Sequence, residues 1–183
     1  MTDFYLHKYT TNESITNGIV APHKYRHPLI VKMGKQQDCL TAWNKDKEKI
    51  TNSYVVELKK LFNTNDKFLL FTPPTNTKIF VNDIIDKVKK EFPNIVDLTH
   101  CFDKTRDVNF GDQQYDSHST KQLASMVQVD NDKLKGADKD IKIAFIIDDV
   151  NSTGKSLELT TYLITESLGT DIEIKSGVIL TTT

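Results

Sequence analysis

The stretch Ile143-Ala144-Phe145-Ile146-Ile147-Asp148-Asp149-Val150-Asn151-Ser152-Thr153-Gly154-Lys155-Ser156-Leu157-Glu158 decides how this chain is read. Its first five residues are apolar and rich in β-branched side chains, as in a strand buried on both faces of a helix-covered parallel sheet. Two carboxylates, Asp148 and Asp149, follow at once. A short polar loop, Asn151 to Ser156, comes next. Leu157, Thr161, Ile164 and Leu168 then recur as on one face of a helix. The order is strand, acidic pair, phosphate-sized loop, helix.

That order suits an anionic ligand carrying a polyol. The first N–H groups of a helix lack intrahelical partners and the macrodipole makes that end positive, so a phosphate is held well there. Gly154 lets the backbone approach closely. Carboxylates just before the loop accept hydrogen bonds from sugar hydroxyls or hold a hydrated Mg²⁺, a cation that prefers oxygen ligands. Two other readings compete. Thr153-Gly154-Lys155-Ser156 looks like the end of a Walker A loop, but that motif needs a glycine where Asp149 stands, and an acid there repels triphosphate. Alternatively, Ser152 or Thr153 merely caps a helix. No Glu or Gln lies three residues after either, so a capping box is absent.

At these residues the sequence resembles the type I phosphoribosyltransferases. Their fingerprint is four apolar residues, two acidic ones, two apolar ones and a Thr-Gly loop, here Ala144 to Ile147, Asp148-Asp149, Val150-Asn151 and Ser152 to Ser156. Asn151 departs from the apolar pattern. The resemblance implies that Asp148 and Asp149 contact the ribose hydroxyls of phosphoribosyl pyrophosphate (PRPP) and hold Mg²⁺. It implies that Asn151, Ser152, Thr153, Gly154, Lys155 and Ser156 wrap the 5′-phosphate.

Upstream, Lys67 to Phe71 reads as a buried strand stopped by Pro73-Pro74, which end ladder pairing and preset a turn at the sheet's carboxyl edge, where ligands of open α/β sheets bind. In the resemblance this is the pyrophosphate loop, with Thr75, Asn76, Thr77 and Lys78 as oxygen contacts. Pro73-Pro74 is similar to the proline-containing loop of the ComF-like subgroup. The competing reading is a plain turn before the next helix, marked by Phe80, Ile84, Val88 and Phe92. Before the strand, Ile50, Tyr54, Leu58 and Phe62 mark an amphipathic helix over 45–63. Ile95 to Phe102 alternates loosely and predicts another strand. Residues 103–125 form a polar insertion, by length a functional lid or a disordered segment. It matches the family's flexible loop, which closes over PRPP and excludes water; Lys104 and Arg106 are its candidate anion contacts, with His118 behind them. Met126 to Val129 predicts a short strand, Gly169 the stop of the motif helix, and 172–183 one or two further strands.

Residues 1–35 mix aromatic, His and Lys residues with Pro22, Pro28, Gly18 and Gly34, and yield only a candidate strand at Leu29-Ile30-Val31. His7, His23 and His27 lack a convincing metal spacing. This segment is expected to cover the sheet or line the acceptor side of the pocket.

The 183 residues suit one domain, 1–183, with a PRPP-binding core over 66–183 and a cover or acceptor-side segment over 1–45. With 24 Lys and Arg against 25 Asp and Glu, the chain has no general attraction to nucleic acid or anionic membrane. Two cysteines, Cys39 and Cys101, read as thiols of a reducing compartment, and no run suits a membrane span or a signal peptide, so a cytoplasmic protein is expected.

The resemblance implies an open, mainly parallel α/β sheet with helices on both faces. It implies transfer of ribose 5-phosphate from PRPP to a nucleobase or other nitrogen acceptor, with Mg²⁺ neutralising the departing pyrophosphate. Ser152 stands where 6-oxopurine enzymes carry an Asp, so a hypoxanthine or guanine acceptor loses support. Little chain follows the motif, so an acceptor site is expected from residues 1–45 or from a partner subunit, such as a second copy in a homodimer. The alternative is a PRPP-binding regulatory module, or a ComF-like protein tied to DNA uptake, that binds without turnover.

Overall fold

Alternation along the central strands divides their side chains between two apolar clusters. Phe68, Leu70, Phe145, Ile147 and Ile179 pack into one. Leu69, Phe71, Ala144, Ile146 and Val178 pack into the other. A strand whose every side chain meets an apolar layer is a strand covered on both sides, as the unbroken run at 143–147 requires.

The computed structural model describes residues 2–9, 36–74, 79–105, 110, 115, 117–138, 140–151 and 153–182. Its elements are β1 (Phe4–Tyr9), α1 (Gln36–Leu61), β2 (Leu69–Phe71), α2 (Ile79–Glu91), β3 (Val96–Asp97), β4 (Phe102–Lys104), α3 (Thr120–Ala124), β5 (Val127–Val129), α4 (Asn131–Lys135), β6 (Ile143–Asn151), α5 (Lys155–Leu168) and β7 (Glu173–Thr182). A five-stranded sheet runs β1-β7-β6-β2-β3, and β4 pairs with β5 in a separate two-stranded sheet. Every pairing in the larger sheet is parallel. Trp43, Tyr54 and Leu58 of α1, with Phe80, Ile84 and Val88 of α2, cover one face. Leu157, Leu159, Leu163 and Ile164 of α5 cover the other. The expected open parallel α/β sheet with helices on both faces is the fold of this chain.

Aromatic rings fill the α1/α2 face. Phe145 lies 6.1 Å from Phe4, 5.7 Å from Phe62 and 6.3 Å from Phe68 between ring centroids. The Tyr54 hydroxyl donates to Gly177 O at 2.6 Å. A methyl group on Gly177 would run into the Phe4 ring and that same hydroxyl, so glycine is needed for the close approach of α1 to β7. Contacts also set the direction of α1. Lys175, near the start of β7, lies over the ring of Phe62, while Trp43 at the other end meets Phe80 at the start of α2. The helix is therefore antiparallel to the strands, and its first turns lie toward the sheet's carboxyl edge.

Several elements differ from the sequence reading. Strand β1 has no counterpart there; it pairs with β7 through Phe4↔Gly177 and Tyr5↔Val178. The single strand expected over 95–102 is two: β3 belongs to the large sheet, and β4 turns away to β5. The break has a local cause, since Asp97 Oδ1 accepts from Thr99 N at 3.0 Å, a side-chain turn that stops the ladder. The insertion over 103–125 is not polar throughout. Phe110, Tyr115 and Leu123 are buried, and Ser119 opens α3 with a capping box to Gln122. The candidate strand at 29–31 lies outside the described residues. No helix among the described residues is long and apolar enough to cross a membrane.

Candidate functional site

Chain order and strand order part company twice in the sheet, where β1 lies beside β7 and where β2 lies beside β6, and the second place is a switch point. From β2 the chain moves outward to β3, then returns to the other side of β2 as β6. Leu69, Leu70 and Phe71 pair with Ala144, Phe145 and Ile146. At such a switch point the connections leave in opposite directions and open a crevice at the strands' carboxyl ends. Thr72-Pro73-Pro74 leaves β2 there, and Asp148-Asp149 lies just beyond the last β2 partner on β6.

The two aspartates sit inside the strand rather than after it. Asp148, Val150 and Asn151 keep register with Val178, Leu180 and Thr181, which carries β6 four residues past the apolar run. Asp148 is 4% exposed and Asp149 7%. Alternation sends the two side chains to opposite sides of the strand, so they are not equivalent. The Asp148 carboxylate turns back to accept from Asp149 N at 2.8 Å. Burial first, and the Asp148 charge second, push the Tyr54 phenol well up from its ordinary value, so Tyr54 remains a neutral donor.

The loop is shorter than expected. Asn151 belongs to β6 and its amide donates to Thr2 Oγ1 at 3.1 Å, tying the N-terminal strand to the motif. Lys155 and Ser156 belong to the first turn of α5. Between them and β6, Gly154 is the N-cap, at φ 79° and ψ −14°, a left-handed conformation that favours glycine. The N-cap glycine has no side chain with which to cap the helix, and Thr153 Oγ1 accepts from Lys155 N at 3.5 Å. A left-handed residue leading into helical ones turns successive N–H groups toward one concave spot, which suits an anion.

Ser152, the four candidate pyrophosphate contacts Thr75, Asn76, Thr77 and Lys78, and Arg106 lie outside the described residues. Lys104 is described: it sits on β4 with Nζ 4.9 Å from the centroid of the Phe110 ring. His118 packs edge-on against Tyr115 at 5.3 Å. The base of the insertion meets the motif where the Thr120 hydroxyl donates to Glu158 in the first turn of α5. Among the described residues no group of three or more His, Cys, Asp or Glu side chains gathers as a metal cage.

Sequence reasoning missed a second set of residues at the same edge. Thr72 is fully buried, and its Oγ1 accepts from His100 N at 3.0 Å. The His100 ring lies between Thr72 Oγ1, 3.4 Å from Nδ1, and Asn82 Oδ1, 2.9 Å from Nε2. Only the unusual backbone of His100, at φ 60°, distinguishes it, and nothing in the sequence announces that.

Fold and edge together define an open parallel α/β protein with two buried carboxylates and a glycine-capped helix start at its switch point. No family profile matches the chain, and no curated protein does. Among solved structures it is similar to a hypoxanthine phosphoribosyltransferase from Staphylococcus aureus in two crystal forms. Each is 16% identical with a TM-score of 0.42, covering 75% and 74% of this chain and 62% of the other. The chain thus spans less than two thirds of the length of the proteins it matches.

Proposed function

We propose that this chain binds PRPP with Mg²⁺ and transfers its ribose 5-phosphate to a nitrogen acceptor, releasing pyrophosphate. One observation carries the reading: β6 delivers two buried carboxylates to the switch-point crevice and runs within a few residues into a helix start capped by left-handed Gly154. A sugar phosphate needs both halves at that separation along the chain.

In this reading Asp148 and Asp149 accept the ribose hydroxyls, and residues 152–156 hold the 5′-phosphate through backbone N–H groups. The β2–α2 loop, with Thr75, Asn76, Thr77 and Lys78, takes the pyrophosphate. Two adjacent carboxylates suit Mg²⁺, which binds through one or two carboxylates and leaves its other positions to water and substrate phosphates. When bound, the ion neutralises charge on the departing pyrophosphate. In the transfer the C1′–O bond to pyrophosphate breaks, a C1′–N bond to the acceptor forms, and the acceptor nitrogen gives up a proton. The chain's part is electrostatic: carboxylates beside a ribosyl centre gaining positive charge, and N–H groups on the phosphate. Lys104 and Arg106, on the arm braced by Thr120 and Glu158, close over the reacting centre and keep water from it.

The acceptor side falls to residues 1–45. β1 ends and α1 begins at the carboxyl edge, so the chain leaves and rejoins the described structure beside the site. A single domain, a cytoplasmic setting with Cys101 as a buried thiol, and a homodimer contributing acceptor contacts belong to the same proposal, as does the ComF-like subgroup. Pyrophosphate release from PRPP and Mg²⁺, measured across a panel of nucleobases, tests it. Release with one acceptor supports the transferase. Tight PRPP binding without turnover on any acceptor replaces the enzyme with a sensor, and absence of PRPP binding removes both.

A further inference from the structure

We infer that His100 is a positioning residue that pins both ends of the β2–α2 loop and so shapes the pyrophosphate half of the site. The inference rests on the PRPP reading above but concerns a residue which that reading does not use.

The loop leaves β2 at Thr72 and enters α2 at Ile79. On its near side Thr72 is 0% exposed, with its hydroxyl bound to the His100 backbone N–H. On its far side Asn82, in the first turn of α2, meets His100 Nε2 at 2.9 Å. One imidazole therefore spans the loop's two flanks, although His100 comes from a different connection, the turn between β3 and β4. Both contacts suit the neutral tautomer with its hydrogen on Nε2. Nε2–H donates to the Asn82 carbonyl oxygen, and Nδ1 faces the Thr72 hydroxyl as acceptor.

The backbone supports a purpose beyond packing. His100 holds φ 60°, a left-handed conformation that costs a non-glycine residue free energy and persists where surrounding contacts impose it. Neighbours hold the turn from both sides. Leu98 N–H donates to Leu70 O at 2.9 Å, Cys101 N–H to Leu98 O at 3.3 Å, and Lys133 Nζ donates to Thr99 O. The strained residue is also the one that reaches across the crevice edge to both flanks of the loop. Fixed flanks lower the ordering cost of binding an anion at that edge.

The test separates the two halves of the site by titrating wild type, His100→Asn, Asn82→Leu and Asn82→Asp with inorganic pyrophosphate plus Mg²⁺ and, separately, with ribose 5-phosphate. Asparagine in place of His100 tolerates the left-handed backbone but is too short to span both flanks, and the carboxylate of Asn82→Asp keeps an acceptor for Nε2–H. Expected is a loss of about fivefold to tenfold in pyrophosphate affinity for His100→Asn and Asn82→Leu, the size of one lost hydrogen bond. Asn82→Asp should bind as wild type does, and ribose 5-phosphate affinity should stay within about twofold throughout, since that ligand meets the other flank. Unchanged pyrophosphate affinity in His100→Asn and Asn82→Leu overturns the inference, and so does an equal loss of both ligands, which marks general damage. A wild-type protein that binds neither ligand overturns the PRPP reading itself, a result distinct from variants that fail to discriminate.

Discussion

The two flanks of the switch point are built in opposite ways. On the β6–α5 flank the bonds that shape the turn are local: Asp149 N bonds to Asp148 and Glu158 N to Gly154 O, within one stretch of sixteen residues, and the remote bonds from Asn151 to Thr2 and from Thr120 to Glu158 only brace its rim. On the β2–α2 flank, Thr72 meets His100 across 28 positions, His100 meets Asn82 across 18, and Trp43 donates to Asp83 across 40. The first flank takes its shape from strand pairing and a glycine. The second exists only once three separate connections have been brought together. Substitutions on the first should therefore change ligand binding with small cost to the fold, and those on the second should couple the two.

The largest effect comes from removing what both flanks stand on. Phe145 lies on β6 next to its β2 partner Leu70 and within 6.3 Å of three other rings. Phe145→Ala should cost about 3–5 kcal/mol, a buried aromatic with its cavity. Urea unfolding measures it, and a loss under about 1 kcal/mol would mean that the flanks do not share this floor. Asp149→Asn comes next. It should weaken Mg²⁺-dependent PRPP binding about a hundredfold, roughly 2.7 kcal/mol, while the midpoint of thermal unfolding stays close to wild type. Calorimetric titration reads the first quantity, and an unchanged affinity would remove Asp149 from the site.

The same contrast explains what can be read in advance. The motif strand, its helix and the Gly169 stop carry their signals within a few residues. So do Phe68 to Phe71 and the Phe80 to Phe92 helix, and all of these are present. Strand β1 carries a signal too, with Phe4 and Leu6 two apart, but its partner is β7, at the other end of the chain, and short alternation does not specify so remote a pairing. The extent of β6 escapes the sequence reading because charge at Asp148 and Asp149 suggests a strand end. Pairing with Val178 to Thr181 continues regardless, because β7 supplies ladder partners. The Ser119-x-x-Gln122 capping box is legible in the sequence, but the polarity of the surrounding insertion hides the short helix it opens. His100 has no signal at all. Its role arises from the turn that Asp97 and Thr99 impose, which no spacing rule anticipates.

Gly154→Ala sharpens the local flank. Forcing a side chain into φ 79° should cost about 1–2 kcal/mol of stability, and the loop can relax only by moving the N–H groups that receive phosphate. Ribose 5-phosphate affinity should fall with it while pyrophosphate affinity holds. Loss of both ligands to the same degree would show that the flanks are not independent.

The smallest expected effect lies on the long-range flank, at the ion pair between Lys89 of α2 and Asp97 of β3, 2.7 Å apart. Burial pushes the Asp97 carboxyl up, but hydrogen bonds from Lys89 and Thr99 outweigh it and hold the group below its usual range. The hydrogen bond to Asp97, and then its charge, hold the Lys89 ammonium above its usual range. A lowered carboxylate stabilises the fold above about pH 4 and loses that contribution as pH falls through its folded value. A raised ammonium contributes below about pH 10.5 and loses it as pH rises through its folded value. The pair is half open to solvent on the lysine side, so Lys89→Met should cost under about 1 kcal/mol at neutral pH. Its signature is in the pH dependence. Stability curves of wild type and Lys89→Met should differ at about pH 7 and converge toward about pH 2, where Asp97 is protonated in both. Curves that stay parallel throughout that acid range would assign the loss to packing of the lysine stem against β3 rather than to its charge.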